Sequence, residues 1–138
     1  MNKTKISAHI SYDEATVSPT ALRLGIKNEP NEAELSAMRL VAELCFEPLR
    51  MWYCKPIKIN SFFRCNELNT AIKGSKTSQH CLGEAIDMSA GSKEENKKLF
   101  NWCKENLDYD QLINEYDFSW VHISYKRSGN RKQVLVIK

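Results

Sequence analysis

No two of the five cysteines, at positions 45, 54, 65, 81 and 103, stand in a C-x-x-C spacing, and their number is odd. This argues against a small zinc finger and against a disulfide framework. Free, mostly buried thiols in a reducing compartment are expected instead. The opening "MNKTKISAHISYDEA" lacks an apolar run long enough for a secretory signal, and no window approaches the length of a membrane span. The expectation is therefore a chain left in the cytoplasm on synthesis, with no stable membrane insertion. Internal repeats, low-complexity tracts and linkers are missing as well. Charge of one sign is also lacking: 17 acidic residues are mixed among 20 basic ones, for a net charge of +3. No nucleic-acid partner follows from so mild a balance, only a weak attraction to an anionic polymer.

What is present suits one globular unit. With 138 residues, 42% of them hydrophobic and 27% charged, the chain can bury a real core without staples. A single domain over residues 1–138 is expected, as a monomer. Residues 1–27 read as an irregular arm packed on that domain. Within the arm Ser18 caps a short helix, Pro19 takes its first position and Gly25 ends it. A long helix is predicted over 31–53. Asn31 and Glu34 form its capping box, and Leu35, Met38, Ala42, Cys45, Leu49 and Trp52 form its buried stripe. Pro48 should kink or break its last turn. Residues 56–61 read as a strand, 65–74 as a helix closed by Gly74, and 84–90 as a second strand. A helix over 93–106 is capped by Ser92, with Glu95 completing the box, and buries Leu99, Phe100, Cys103 and Leu107. Strands follow at 110–116, 119–126 and 133–138. The basic "YKRSGNRKQ" between the last two reads as a hairpin tip that could touch an anionic polymer. This order predicts an α+β domain whose small, largely antiparallel sheet is flanked by helices.

Two of the three histidines stand where chemistry is possible. His80 lies in the polar loop "SKTSQHCLG", and Asp87 lies on a strand inside the apolar "AIDMS". A carboxylate there needs a partner, because burying an unpaired charge is costly. In "SWVHISYK", Val121, Ile123 and Tyr125 alternate with Trp120, His122 and Ser124, so His122 projects from the face opposite the core set. Two imidazoles and a carboxylate suit Zn²⁺, and three protein ligands leave the open position of a catalytic site. Spacing alone leaves a half-exposed strand histidine equally open. His9 has no motif partner and reads as structural. Cys81, beside His80, is a rival metal ligand or nucleophile.

The stretch "SQHCLGEAID" resembles the S-x-H-x-x-G-x-A-x-D motif of the zinc D-Ala-D-Ala carboxypeptidase and L-Ala-D-Glu endopeptidase family, the LAS metallopeptidases. Ser78, His80, Gly83, Ala85 and Asp87 all match. "INSFFRCNELNTAIKGSKTSQH" resembles the family's approach to that motif, and "WVHIS" resembles its W-x-H element. "SPTALRLGIKNEPNEAEL" and "QLINEY" resemble the short, phage-type branch. The resemblance implies one zinc bound by His80, Asp87 and His122 at the sheet face. It implies a turn made possible by Gly83, and Ser78 bracing the loop or binding a ligand. Arg64 would bind a substrate carboxylate or polarise the scissile carbonyl. Many relatives carry a Glu three residues before the last zinc His, where this chain has Ser119. The phage-type branch instead implies Glu115 as acid/base, with Asp117 and Glu84 as rivals.

The function so implied is a zinc peptidase acting on peptidoglycan stem peptides or cross-links. It would be a phage or prophage lysis enzyme, acting at the cell wall after release and without a separate wall-binding domain. A non-catalytic zinc or peptidoglycan-binding module, or a virion structural component on the same fold, is the alternative. Thiol titration of the denatured, unreduced protein should find all five cysteines free; two or four missing thiols would point to an oxidising location.

Overall fold

The structure, a computed structural model, describes residues 5–138; the first four residues of the expected arm lie outside these. The arm is more regular than its sequence suggests. Strands β1 (Lys5–Ser7) and β2 (Ile10–Ser11) pair antiparallel, and helices α1 (Tyr12–Thr16) and α2 (Pro19–Leu24) follow. Ser11 and Glu14 close a capping box on α1, while Ser18 caps α2 and Gly25 ends it in the left-handed region. Ile6, Ile10 and Ala15 are buried and seat the arm on the core. Elements this short hold too few apolar residues to reveal a period. His9 is structural here, its Nδ1 lying 2.6 Å from Glu47.

Asn31 and Glu34 start the long helix as expected. It runs as α3 (Glu32–Val41), a π turn (Ala42–Phe46) and α4 (Glu47–Tyr53). Pro48 does not break it. The widened turn returns the Glu47 N–H to the Ala42 carbonyl, relieving the carbonyl crowding a proline ring would meet in a regular turn. Beyond it the buried stripe keeps Leu49 and departs from the expected one only in the last turn. Leu35, Met38, Ala42, Cys45 and Leu49 are buried as expected, but Tyr53 rather than Trp52 then packs on the core. Trp52 is exposed and stacks on Trp102 at 5.3 Å.

Helix α5 (Asn66–Ala71) is capped by the Cys65 sulfur and ends at Ile72, before Gly74. Gly74 has a different job: a Cβ there would lie 2.1 Å from the Asn69 side-chain oxygen. Asn69 is thereby free to hold the next loop through the Ser75 carbonyl. Helix α6 (Lys93–Asn106) keeps its Ser92 cap. Glu95 does not close the box; it accepts from the Tyr53 hydroxyl at 2.6 Å and pairs with Lys98.

The sheet comprises β3 (Lys58–Ser61), β4 (Ala85–Ser89), β5 (Gln111–Glu115), β6 (Trp120–Ser124) and β7 (Gln133–Ile137), in the order β3-β4-β6-β5-β7. All pairs are antiparallel except β5 with β7. The expected β6–β7 hairpin does not form, because β4 and β5 already occupy both edges of β6. The chain after β6 instead crosses to the open edge of β5. Asp110 pins it there. Its fully buried carboxylate accepts from Arg131 Nε at 2.9 Å and Nη2 at 2.7 Å, and from the Arg131 backbone N–H at 3.0 Å. The Asp110 carbonyl accepts from the Gln133 N–H.

This is a single small α+β domain with a mostly antiparallel sheet flanked by helices. Ile86, Met88, Leu112, Val121 and Ile123 face the helical layer and join Leu35, Met38, Leu99 and Cys103 in one core. Ala85, Asp87, Ile113, Glu115, His122 and Ser124 take the opposite face by the two-residue period of a strand. All five cysteines are free, and among the described residues no helix is long and apolar enough to cross a membrane.

The Arg131 guanidinium holds the Asp110 carboxyl down to about 2. Since the folded value lies below the ordinary one of about 3.9, this stabilisation is complete above about pH 4 and is lost as pH falls toward 2. Asp110→Asn should therefore destabilise the protein at pH 7. The gap to wild type, measured by urea unfolding, should narrow steadily between pH 5 and pH 2; a gap independent of pH would contradict the ion pair.

Candidate metal centre

Antiparallel pairing sets Asp87 of β4 directly opposite His122 of β6, and His122 opposite Ile113 of β5. Glu115 is opposite Trp120, so it is the diagonal neighbour of His122 on the same face. His80 comes from outside the sheet. Ser78 caps a short 3₁₀ turn (Gln79–Leu82), its Oγ accepting from the His80 N–H at 3.2 Å. Gly83 ends that turn at φ +76°, and a Cβ there would lie 2.5 Å from the Glu34 carbonyl of α3. Glycine thus meets two needs at once: the left-handed backbone and the close approach of the turn to the helix.

His80 Nδ1 donates to the Phe62 carbonyl at 2.7 Å. With that proton committed, Nε2 faces Asp87 Oδ2 at 3.1 Å. His122 Nδ1 faces the other carboxylate oxygen at 2.8 Å. A neutral His80 would turn a lone pair toward a carboxylate, so the arrangement calls for positive charge between them, from a second proton or from a cation. Ligand atoms of His80, Asp87 and His122 all lie within 4.8 Å of one another and could hold a metal ion. Two imidazole nitrogens and one carboxylate oxygen form a zinc-type donor set, and the Phe62 carbonyl supplies the outer bond that orients a ligating histidine. Burial works against the Asp87 charge, but hydrogen bonds from His122 and His80 outweigh it and hold the carboxyl well below the usual range.

Glu115 belongs to the same cluster, with Oε2 at 3.9 Å from His122 Nδ1 and accepting from Trp120 Nε1 at 3.0 Å. Burial, and then the charge of Asp87, push its carboxyl upward. Asp117 does not line this groove; it is exposed and pairs with Lys93 of α6. Glu84 accepts from Gln79 Nε2 and also lies outside the groove. The Cys81 thiol is pushed up by burial, which opposes a thiolate role, and Cys81 is not in the metal-binding group.

The groove over this cluster has a volume of about 560 Å³. Arg64 lines it, its Nη2 donating to Ser78 Oγ at 3.3 Å while the buried Nε has no hydrogen-bond partner among the described residues. The buried side chain of Asn28 steadies the backbone beside Arg64, donating to the Phe63 carbonyl and accepting from the Cys65 N–H. At the far rim, Tyr116, Asp117 and Phe118 all have positive φ, at a cost of about 1–2 kcal/mol each. Asn114 accepts from the Phe118 N–H, Asn96 donates to the Phe118 carbonyl, and Phe118 packs edge-on against Phe100. These contacts hold the strained turn and set Tyr116 over Trp120, their rings 5.2 Å apart.

Sequence reasoning missed Gln111, Tyr116 and Arg131, which also line the groove. Strand alternation would have found Gln111, in step with Ile113 and Glu115. The strained turn and the β5–β7 pairing that place the other two leave no periodic signal.

The family model described as Peptidase M15 matches residues 8–124, most of the chain. No curated protein matches it. Replacing His122 with Ala would leave two of the three donors. Zinc affinity should then fall by more than about 100-fold, the upper range for losing an outer partner alone; titration showing undiminished affinity would remove His122 from the metal group.

Proposed function

The chain belongs to the peptidase M15 family, whose members are zinc metallopeptidases, and from that premise we propose that it hydrolyses a peptide bond in peptidoglycan stem peptides or cross-links. The observation that carries this reading is the meeting of four groups in one groove. The donor atoms of His80, Asp87 and His122 converge there, with Glu115 beside them. A zinc ion held by those three side chains would polarise a carbonyl and lower the pKa of water to about 7. Glu115 takes the proton of the attacking water and passes it to the leaving amine. Its half-buried, upward-shifted carboxyl is suited to giving that proton back, and the Trp120 N–H fixes which oxygen faces His122. Arg64, on the opposite wall, binds a substrate carboxylate or the scissile carbonyl, and Ser78 keeps its guanidinium in place.

The cell-wall substrate and the role in phage or prophage lysis rest on the motif resemblance. Glu115 stands beside the three-donor group and not within it, as suits a proton carrier more than a ligand, which favours catalysis over the binding alternative. Mass spectrometry of muropeptides incubated with the zinc-loaded protein should show a stem or cross-link peptide cut. Glu115→Gln should keep fold and zinc, yet lose about 10²–10⁴-fold in rate, while Asp117→Asn stays near wild type. Intact muropeptides with wild type would retire the enzymatic reading, and an active Glu115→Gln variant would move the proton-transfer role elsewhere.

A further inference from the structure

The groove extends past the metal cluster, and its end opposite Glu115 is closed by a second guanidinium. Along β5 the groove-facing residues are Gln111, Ile113 and Glu115. At about 3.4 Å per residue, Gln111 lies roughly 7 Å to one side of the row that holds His122, and Glu115 roughly 7 Å to the other. Gln111 pairs with Gln133 of β7, and Arg131 stands two residues before Gln133 in the chain, against Asp110.

Arg131 is held as a binding residue would be. Its contacts to Asp110 use one N–H on Nε and one on Nη2, and a guanidinium has five. The outer edge therefore keeps donors in a planar fork that matches a carboxylate. The side chain is 52% exposed although its partner is fully buried, and it lines the groove. Asp110 cancels its net charge, so the site favours a small, geometrically matched anion over a general anionic surface. It also lies beyond residue 124, where the family match ends, so the matched segment does not account for it.

We infer that Arg131 anchors a carboxylate of the substrate on the acyl side of the scissile bond, at least two residues from it. The inference rests on the peptidase reading above. Glu115 hands its proton to the leaving amine, so the leaving side lies toward Glu115 and the acyl side toward Arg131. Gln111 lies at that step of roughly 7 Å and Arg131 starts beyond it, so a chain of about 3.3–3.6 Å per residue needs at least two residues to reach the guanidinium.

The test uses a disaccharide-pentapeptide with its acyl-side carboxylates free and the same compound with them as carboxamides. Binding is measured by calorimetry on the metal-free protein, and cleavage on the zinc-loaded protein. Wild type should prefer the acid by about 10- to 100-fold in Kd and in kcat/KM, the worth of a charge-assisted pair. In Arg131→Lys and Arg131→Gln that ratio should fall toward one. The Lys variant keeps a cation for Asp110, so it answers the question even if the Gln variant unfolds. Equal affinity of wild type for acid and amide, or an undiminished preference in Arg131→Lys, would overturn the inference. Cleavage of neither compound with the binding preference intact would count against the peptidase reading and leave the anchor standing.

Discussion

The register between β4 and β6 is the constraint on which the site depends. Asp87 faces His122 because Ile86 faces Ile123 and Met88 faces Val121 on the other side of the same two strands. A slip of β4 by one residue would turn Asp87 into the helical layer and push Ile86 and Met88 onto the groove face. The apolar side therefore enforces the polar one. Burying Ile86, Met88, Val121 and Ile123 completely is worth about 1.5–3 kcal/mol for each side chain, and every alternative register forfeits that. The chemistry of the groove is thus selected by a core that never touches it.

His80 is the member that the sheet cannot place, and three separate contacts bring it in. The Phe62 carbonyl orients its ring, Ser78 caps its turn, and Gly83 lets that turn lie against α3. Each contact belongs to a different part of the chain, so the group assembles only when β3, the 3₁₀ turn and the long helix are all in place. The buried carboxylates follow a common pattern. Asp87 is set between two imidazoles, Asp110 against a guanidinium, and Glu115 against an indole N–H. None is left to bear the cost of burial alone. At Glu115 burial and the Asp87 charge outweigh the indole N–H, so its proton affinity rises while the other two fall.

The parts legible in the sequence were those governed by short-range chemistry. Asn31 with Glu34, Ser18 with Pro19, and Ser92 are caps whose partners lie within a few residues. His80, Asp87 and His122 stand in a spaced motif, and Glu115 is reached through the resemblance of "QLINE" to the phage-type branch. Other features turned on longer-range facts. Trp52 lies on the expected stripe, yet it is exposed and stacks on Trp102, and Tyr53 packs on the core instead. Gly74 looks like a helix stop, but its absent Cβ makes room for Asn69. β7 looks like half of a hairpin, yet it joins β5 because the edges of β6 are already taken. Arg131 reads as one cation of a basic turn until that crossover brings it to the groove.

The position of β7 has a consequence for motion. It is one of the two edge strands, joined to the sheet by one parallel ladder, with Val134, Val136 and Ile137 exposed. An outer strand with so little apolar cover opens at a lower free energy than the strands inside the sheet. The two ends of the groove therefore differ in rigidity. The histidine–aspartate row stands on the central pair β4 and β6 and persists as long as the fold does. The Arg131 end is tethered by its ion pair with Asp110, which must break before that end can move with β7.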